Sequence, residues 1–257
     1  MMCDNMTDST SYNCRVLSYP IGEHVTVYDR TITKGKKNEK LTKAHQKENE
    51  NRSIKQEEHS KQVSLSRTKN AIYNIARSNI WEWFITLTFD RKITDSSSYD
   101  EVVERLQTSL ENIRKRKCPD MKYLIVPELH KDGVHYHFHG LLSNVDGLRF
   151  KYSGLCKKDM PIYNIVDWSY GFTTATRVTD TQRVSSYITK YITKASEQYL
   201  KEKRRYYASR NIEKAEPIYT VIDEEDFQKT YADRITYCKT INIKQALQQV
   251  TYYELKD

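Results

Sequence analysis

The sequence predicts an α+β fold built on a largely antiparallel sheet. Three observations carry that expectation. Trp81-Glu82-Trp83-Phe84-Ile85-Thr86-Leu87-Thr88-Phe89 alternates with period two, and so does Val134-His135-Tyr136-His137-Phe138-His139; a strand puts alternate side chains on opposite faces. Between them Val102, Val103, Leu106, Leu110 and Ile113 recur at helical spacing. The resulting order is strand, helix, hairpin, strand, helix, which suits an antiparallel sheet with helices packed on it.

Each element has its own signal. Residues 1–32 hold scattered apolar and aromatic positions, among them Val16, Leu17, Tyr19, Val25, Val27 and Tyr28, and read as a short arm or a strand pair. Residues 33–64 are rich in Lys, Glu, Gln and Asn. Such a stretch buries little apolar surface and reads as a polar, basic linker, flexible or helical. A structured domain is expected over 65–205, opening on a helix marked by Ile72, Ile75 and Ala76. In the first strand Trp81, Trp83, Ile85, Leu87 and Phe89 form the core face, and Glu82, Phe84, Thr86 and Thr88 the opposite one. Ser96-Ser97-Ser98 with Asp100 and Glu101 starts a helix, and Arg114 to Lys117 complement its negative end. Tyr123 to Leu129, a Lys131-Asp132-Gly133 turn and the histidine strand make a β-hairpin. Residues 144–170 read as an irregular insertion, 172–178 as a strand, 180–201 as a helix and 206–257 as a C-terminal extension.

Composition narrows the function. The chain has 257 residues, a net charge of +8 and 20 tyrosines. A basic surface suits an anionic partner, nucleic acid above all, and aromatic faces among cations suit unpaired bases. Five cysteines are scattered without a CxxC pair, which argues against a zinc ribbon and for a reducing compartment. No apolar run reaches bilayer length and no secretory signal is visible, so a cytoplasmic location is expected. No Gly-rich loop ends in Gly-Lys-Ser/Thr, and Lys34-Gly35-Lys36 does not supply one.

Two segments carry chemistry. His135, His137 and His139 would share a strand face, with Val134, Tyr136 and Phe138 turned to the core. Neighbouring imidazoles on a sheet make a metal site. A hard cation such as Mg²⁺ or Mn²⁺ also wants oxygen, and Glu128, across the turn, is the best placed carboxylate. Asp132 reads as a turn residue. The second segment is Tyr187-Ile188-Thr189-Lys190-Tyr191-Ile192-Thr193-Lys194. Tyr187, Lys190, Tyr191 and Lys194 form one helical stripe, while Val184, Ile188 and Ile192 form a separate apolar one. A tyrosine hydroxyl can attack a DNA phosphate, but its free pKa near 10 makes it weak. A divalent cation on the phosphate and a nearby ammonium both help.

Phe84-Ile85-Thr86-Leu87-Thr88, Glu128 with His137-Phe138-His139, and Tyr187 with Tyr191 occur in that order over roughly residues 80–200. They resemble the three motifs of HUH endonucleases, in particular rolling-circle replication initiators of plasmids, small single-stranded DNA phages and geminiviruses. The resemblance implies a central, largely antiparallel sheet flanked by helices. It implies His137, His139 and Glu128 as metal ligands, Tyr187 and Tyr191 as nucleophiles, and Lys190 and Lys194 as their supports. Thr86 and Thr88 would sit beneath the site. His135 leaves open the pair His135 and His137 as ligands, and a single tyrosine, Tyr187 ahead of Tyr191, can suffice. The implied activity is metal-dependent nicking and joining at an origin presented as single-stranded or hairpin DNA. Helicase and polymerase would come from the host. Lys201, Lys203, Arg204 and Arg205 are candidate DNA contacts. A relaxase, a single-strand transposase or a noncatalytic origin-binding regulator are the rival readings.

Overall fold

The computed structural model describes residues 10–34, 54–196, 203–243 and 248–257. Along the chain run β1 (Thr10–Ser18), β2 (Glu23–Lys34), α1 (Ile54–Arg77), β3 (Trp83–Leu87), α2 (Tyr99–Arg116), β4 (Lys122–Leu129), β5 (Tyr136–Ser143) and β6 (Phe150–Lys157). They are followed by β7 (Met160–Ile165), β8 (Thr173–Arg177), α3 (Thr181–Ser196), β9 (Tyr207–Ala208), β10 (Ile218–Thr220), α4 (Glu224–Thr230), β11 (Ile235–Ile243) and β12 (Gln248–Leu255). The fold is α+β, with two antiparallel sheets. The chain divides into two compact units, Met1–Lys61 with Ala215–Asp257, and Gln62–Lys214.

The first unit pairs both ends of the sequence in a five-stranded sheet of order β10-β1-β2-β12-β11. Cys14, Val25, Val27, Tyr253 and Leu255 form its core, and Ile222, Phe227 and Ile235 pack against them. Gly22 makes the β1–β2 turn possible: at φ 73° its added Cβ would meet the Leu255 carbonyl oxygen at 2.1 Å.

The second unit holds a seven-stranded sheet, β6-β7-β8-β3-β5-β4-β9, with helices on both faces. Period two decides which residues go where. Trp83, Ile85 and Leu87 of β3 and Phe138 and Leu142 of β5 pack under α2, on Val102, Leu106 and Leu110. The opposite face puts Leu124, Val126 and Leu141 against Ile72, Ile75 and Ala76 of α1 and Ile188 and Ile192 of α3. Helix α2 begins as its serines indicate, with Ser98 Oγ accepting from the Glu101 N–H.

Several expectations need correction. Residues 144–170 are not an irregular insertion: 150–157 and 160–165 are paired strands. Their two-residue turn, Lys158-Asp159, has φ of 48° and 64°. Two positive φ values are the geometry that Asn-Gly usually announces, so the sequence carried no turn signal there. Trp81 does not share the face of Trp83, because β3 begins only at Trp83; the Trp81 indole N–H donates to the Ala76 carbonyl at 2.8 Å and the ring joins the other core. Val134 is 51% exposed rather than inward, since β5 starts at Tyr136. Helix α1 starts at Ile54, inside the segment read as linker. The N-terminal residues resolve as a strand pair, β1 with β2.

Candidate metal centre and tyrosine pair

Strand β5 lies between β3 and β4. Cross-strand register then chooses the neighbours of each histidine: Glu128 of β4 lies opposite His137, and Thr86 of β3 lies opposite His139. The β4–β5 turn sets that register. Gly133 takes φ 69°, its N–H donates to the His130 carbonyl at 2.9 Å, and Asp132 Oδ1 accepts the backbone N–H groups of Val134 and His135. Gly140 follows His139 because the three strands close tightly there: a Cβ would meet Ile125 Cγ1 at 2.9 Å and the Leu124 carbonyl oxygen at 3.2 Å.

The result is a buried group of three donors. Glu128 Oε2 lies 3.1 Å from His137 Nε2 and 2.8 Å from His139 Nε2, and the two nitrogens are 2.9 Å apart. The three residues are each less than a tenth exposed. Burial alone would raise the Glu128 carboxyl; hydrogen bonds and charge from His137 and His139 outweigh it and hold the group at about 2. Two imidazole nitrogens and a carboxylate oxygen aimed at one point are a donor set that fits a divalent cation. The outer contacts are unequal. Thr86 Oγ1 is 3.1 Å from His139 Nδ1, whereas His137 Nδ1 is buried without a hydrogen-bond partner among the described residues. A partner on the second ring nitrogen fixes tautomer and orientation, so His139 is the better anchored ligand.

The tyrosines arrive from above. Helix α3 starts at Asp180, whose Oδ1 accepts the Arg183 N–H at 2.8 Å. Ile188 and Ile192 are fully buried on the sheet, and this seats Tyr187 and Tyr191 one turn apart over the histidines. The Tyr191 ring stacks on His139, with centroids 3.6 Å apart and planes 21° apart. Tyr187 stands edge-on to it at 5.3 Å and is 40% exposed. The Tyr191 hydroxyl is pushed well above the ordinary phenol range, first by burial, then by the neighbouring Tyr187 hydroxyl and the Glu128 charge. Lys190 Nζ lies 5.8 Å from the Tyr187 ring centroid.

Other predicted residues stand elsewhere. His135 is not in the donor group; its Nδ1 meets Asp132 Oδ2 at 2.7 Å. Thr88 follows the end of β3, and its backbone binds Phe172 and the Trp168 indole. Lys203 Nζ contacts Asp100 at 3.3 Å, and Arg205 Nη1 contacts Ser64 and Thr68 of α1 at 3.1 and 3.2 Å. The Arg204 carbonyl accepts the Tyr99 hydroxyl. Lys201 and the side chain of Lys194 lie outside the described residues. One participant was overlooked. Phe84 shares the face of Thr86, and its ring lies 6.0 Å from His139, 5.4 Å from Tyr187 and 6.2 Å from Tyr191. Period two had put it on that face, so the signal was there. His130 also reaches the site, its ring 4.9 Å from His137.

Residues 82–196 match the model of a replication-associated protein family, the ORF2 type. The matched segment runs from the residue before β3 to the end of α3 and so contains the whole donor group and both tyrosines. It supports a role in replication initiation and DNA as the partner. No curated protein and no solved structure gives a significant match. Among the described residues no helix is long and apolar enough to cross a membrane.

Proposed function

We propose that the chain is a metal-dependent, site-specific nicking and joining enzyme that initiates rolling-circle replication of a phage or plasmid in the host cytoplasm. One observation carries this reading: Tyr191 stacks on a histidine of the Glu128/His137/His139 group, with Tyr187 one helical turn away. Neither a structural metal site nor an amphipathic helix needs that conjunction.

Mg²⁺ or Mn²⁺ held by Glu128, His137 and His139 would polarise a scissile phosphate and offset its developing charge. The chain's own residues supply the rest. Thr86 orients His139, and Phe84 with the Tyr191 ring walls the site against water. Tyr187, the more exposed phenol, is the first nucleophile, and the Lys190 ammonium beside its ring favours the phenolate. Its oxygen bonds to phosphorus as the phosphorus–O3′ bond breaks. The phenolic proton goes to solvent, and the leaving oxygen takes one up to become a 3′ hydroxyl that primes synthesis. The phosphotyrosine keeps a phosphodiester, so attack by a 3′ hydroxyl reverses the step and rejoins DNA without a nucleotide cofactor. Lys203, Arg204 and Arg205 would track phosphates; the exposed Lys203–Asp100 pair is weak enough to exchange for one.

The test is an origin oligonucleotide incubated with Mn²⁺ and run on a denaturing gel. A covalent adduct is expected from the native protein, with Tyr187→Phe losing more than Tyr191→Phe, on the order of 10³-fold if Tyr187 is the nucleophile. An adduct that persists in the double Tyr187→Phe, Tyr191→Phe variant would overturn the reading.

A further inference from the structure

The tyrosines of the first unit are not spent on its core. Each of the five strands puts one on the sheet face opposite α4. The register fixes this directly: Tyr219, Arg15, Thr26, Tyr252 and Lys239 are successive cross-strand partners over β10, β1, β2, β12 and β11. Tyr28 lies two residues from Thr26 on the same side, and Tyr237 lies two from Lys239. The rings form one surface. Tyr12 is 4.5 Å from Tyr219 and 6.0 Å from Tyr28, and His24 is 5.9 Å from Tyr252.

Charge is sorted between the two faces. Asp223, Glu224, Glu225 and Asp226 gather at the start of α4, on the far side. The tyrosine face carries Arg15 and Lys239, neither with a carboxylate partner among the described residues. Arg15 reaches only the Thr26 hydroxyl, at 3.4 Å, and its Nε is buried without a hydrogen bond among the described residues. The carboxylate on this face, Glu254, is engaged by His24 at 2.8 Å. A ligand with flat, unpaired rings and a regular negative charge matches such a surface: bases stack on tyrosine whatever their sequence, and phosphates meet the cations.

We propose that this face is a second single-stranded DNA site, a stacking platform independent of the Glu128/His137/His139 group. It reads no sequence. It would hold unpaired DNA while the other unit does its chemistry.

The probe is fluorescein-labelled oligo(dT) of about 20 nucleotides, long enough to cover more than one site, read by anisotropy on the full chain with a chelator present. The double variant Tyr219→Leu, Tyr252→Leu should weaken binding by about 25-fold, roughly fivefold for each ring. Arg15→Gln should lower the slope of log affinity against log salt by about 0.7. Tyr237 and Lys239 lie on an exposed edge strand, where Tyr237→Ala with Lys239→Gln leaves the core untouched; that pair should cost about fivefold or more. In parallel, 5-iodouracil cross-links should map to peptides holding Tyr12, Tyr28, Tyr219 or Tyr252. Unchanged affinity in the edge-strand variant, or cross-links confined to residues 62–214, overturns the proposal. The Tyr187→Phe, Tyr191→Phe protein should keep its oligo(dT) affinity, so failure of the nicking reading and failure of the platform are separate results.

Discussion

Two threonines of β3 and its end look equivalent in sequence, and the structure makes them unequal in a measurable way. Thr86 Oγ1 is 3.1 Å from His139 Nδ1, while Thr88 enters through its backbone alone. Thr86→Val keeps the shape of the side chain and removes the hydroxyl. The loss of one neutral hydrogen bond is worth about 1 kcal/mol, or fivefold. The ring is then held only by its stacking on Tyr191 and by Glu128. Freedom to rotate adds to the cost, and changes of this outer kind lower metal affinity by about 10–100-fold. The expected loss for Thr86→Val is therefore about tenfold in Mn²⁺ affinity, read by titration calorimetry or by the free Mn²⁺ resonance signal. Thr88→Val should stay within about twofold, because no site residue loses a partner. Equal effects from the two variants, or an unchanged affinity in Thr86→Val, would refute the idea that this hydroxyl anchors the ligand.

Three further outcomes follow from the same geometry. Glu128 has a carboxyl held at about 2 against an ordinary value of 4.5, so its contribution to stability is full above about pH 4.5 and fades as pH falls towards 2. In metal-free urea unfolding, Glu128→Gln should flatten that acid limb by at most about 3 kcal/mol and abolish Mn²⁺ binding; an identical acid limb in both proteins would be against it. Ile188 is fully buried, so Ile188→Ala should cost about 2–5 kcal/mol by urea midpoint and lower adduct yield at a temperature where the variant stays folded. Gly140→Ala forces a methyl against Ile125 and the Leu124 carbonyl, and should destabilise by about 1–3 kcal/mol in the same assay.

Much of the second unit was legible because its signals are local. Period-two alternation assigned Ile85, Leu87 and Phe138 to one core and put Thr86 and His139 on the other face. The Lys131-Asp132-Gly133 turn fixed a register that brings Glu128 opposite His137. What stayed hidden depends on non-local pairing or on turn geometry without its usual residues. Nothing near Val25 says that its partner is Tyr253, more than two hundred residues away. Lys158 and Asp159 take positive φ although neither is Gly or Asn, and the β6–β7 hairpin was lost with them. Phe84 was assigned its face but no task, because an aromatic ring between two motifs reads as packing until the rings around it are known.

The placement of the nucleophiles is itself a packing problem. His137 and His139 sit on a strand bonded on both edges, so their backbone has little freedom to move. The tyrosines belong to a helix that touches the same sheet only through side chains. The distance between donor group and hydroxyls is therefore set by how Ile188 and Ile192 seat on Leu124, Val126 and Leu141, residues with no chemistry of their own. A protein interior is close-packed, and removing even a methylene from such a seat shifts what it carries. Activity should then respond more steeply to volume changes at Leu141 and Ile192 than metal affinity does. The strand that bears the ligands stays in place while the helix that bears the phenols settles.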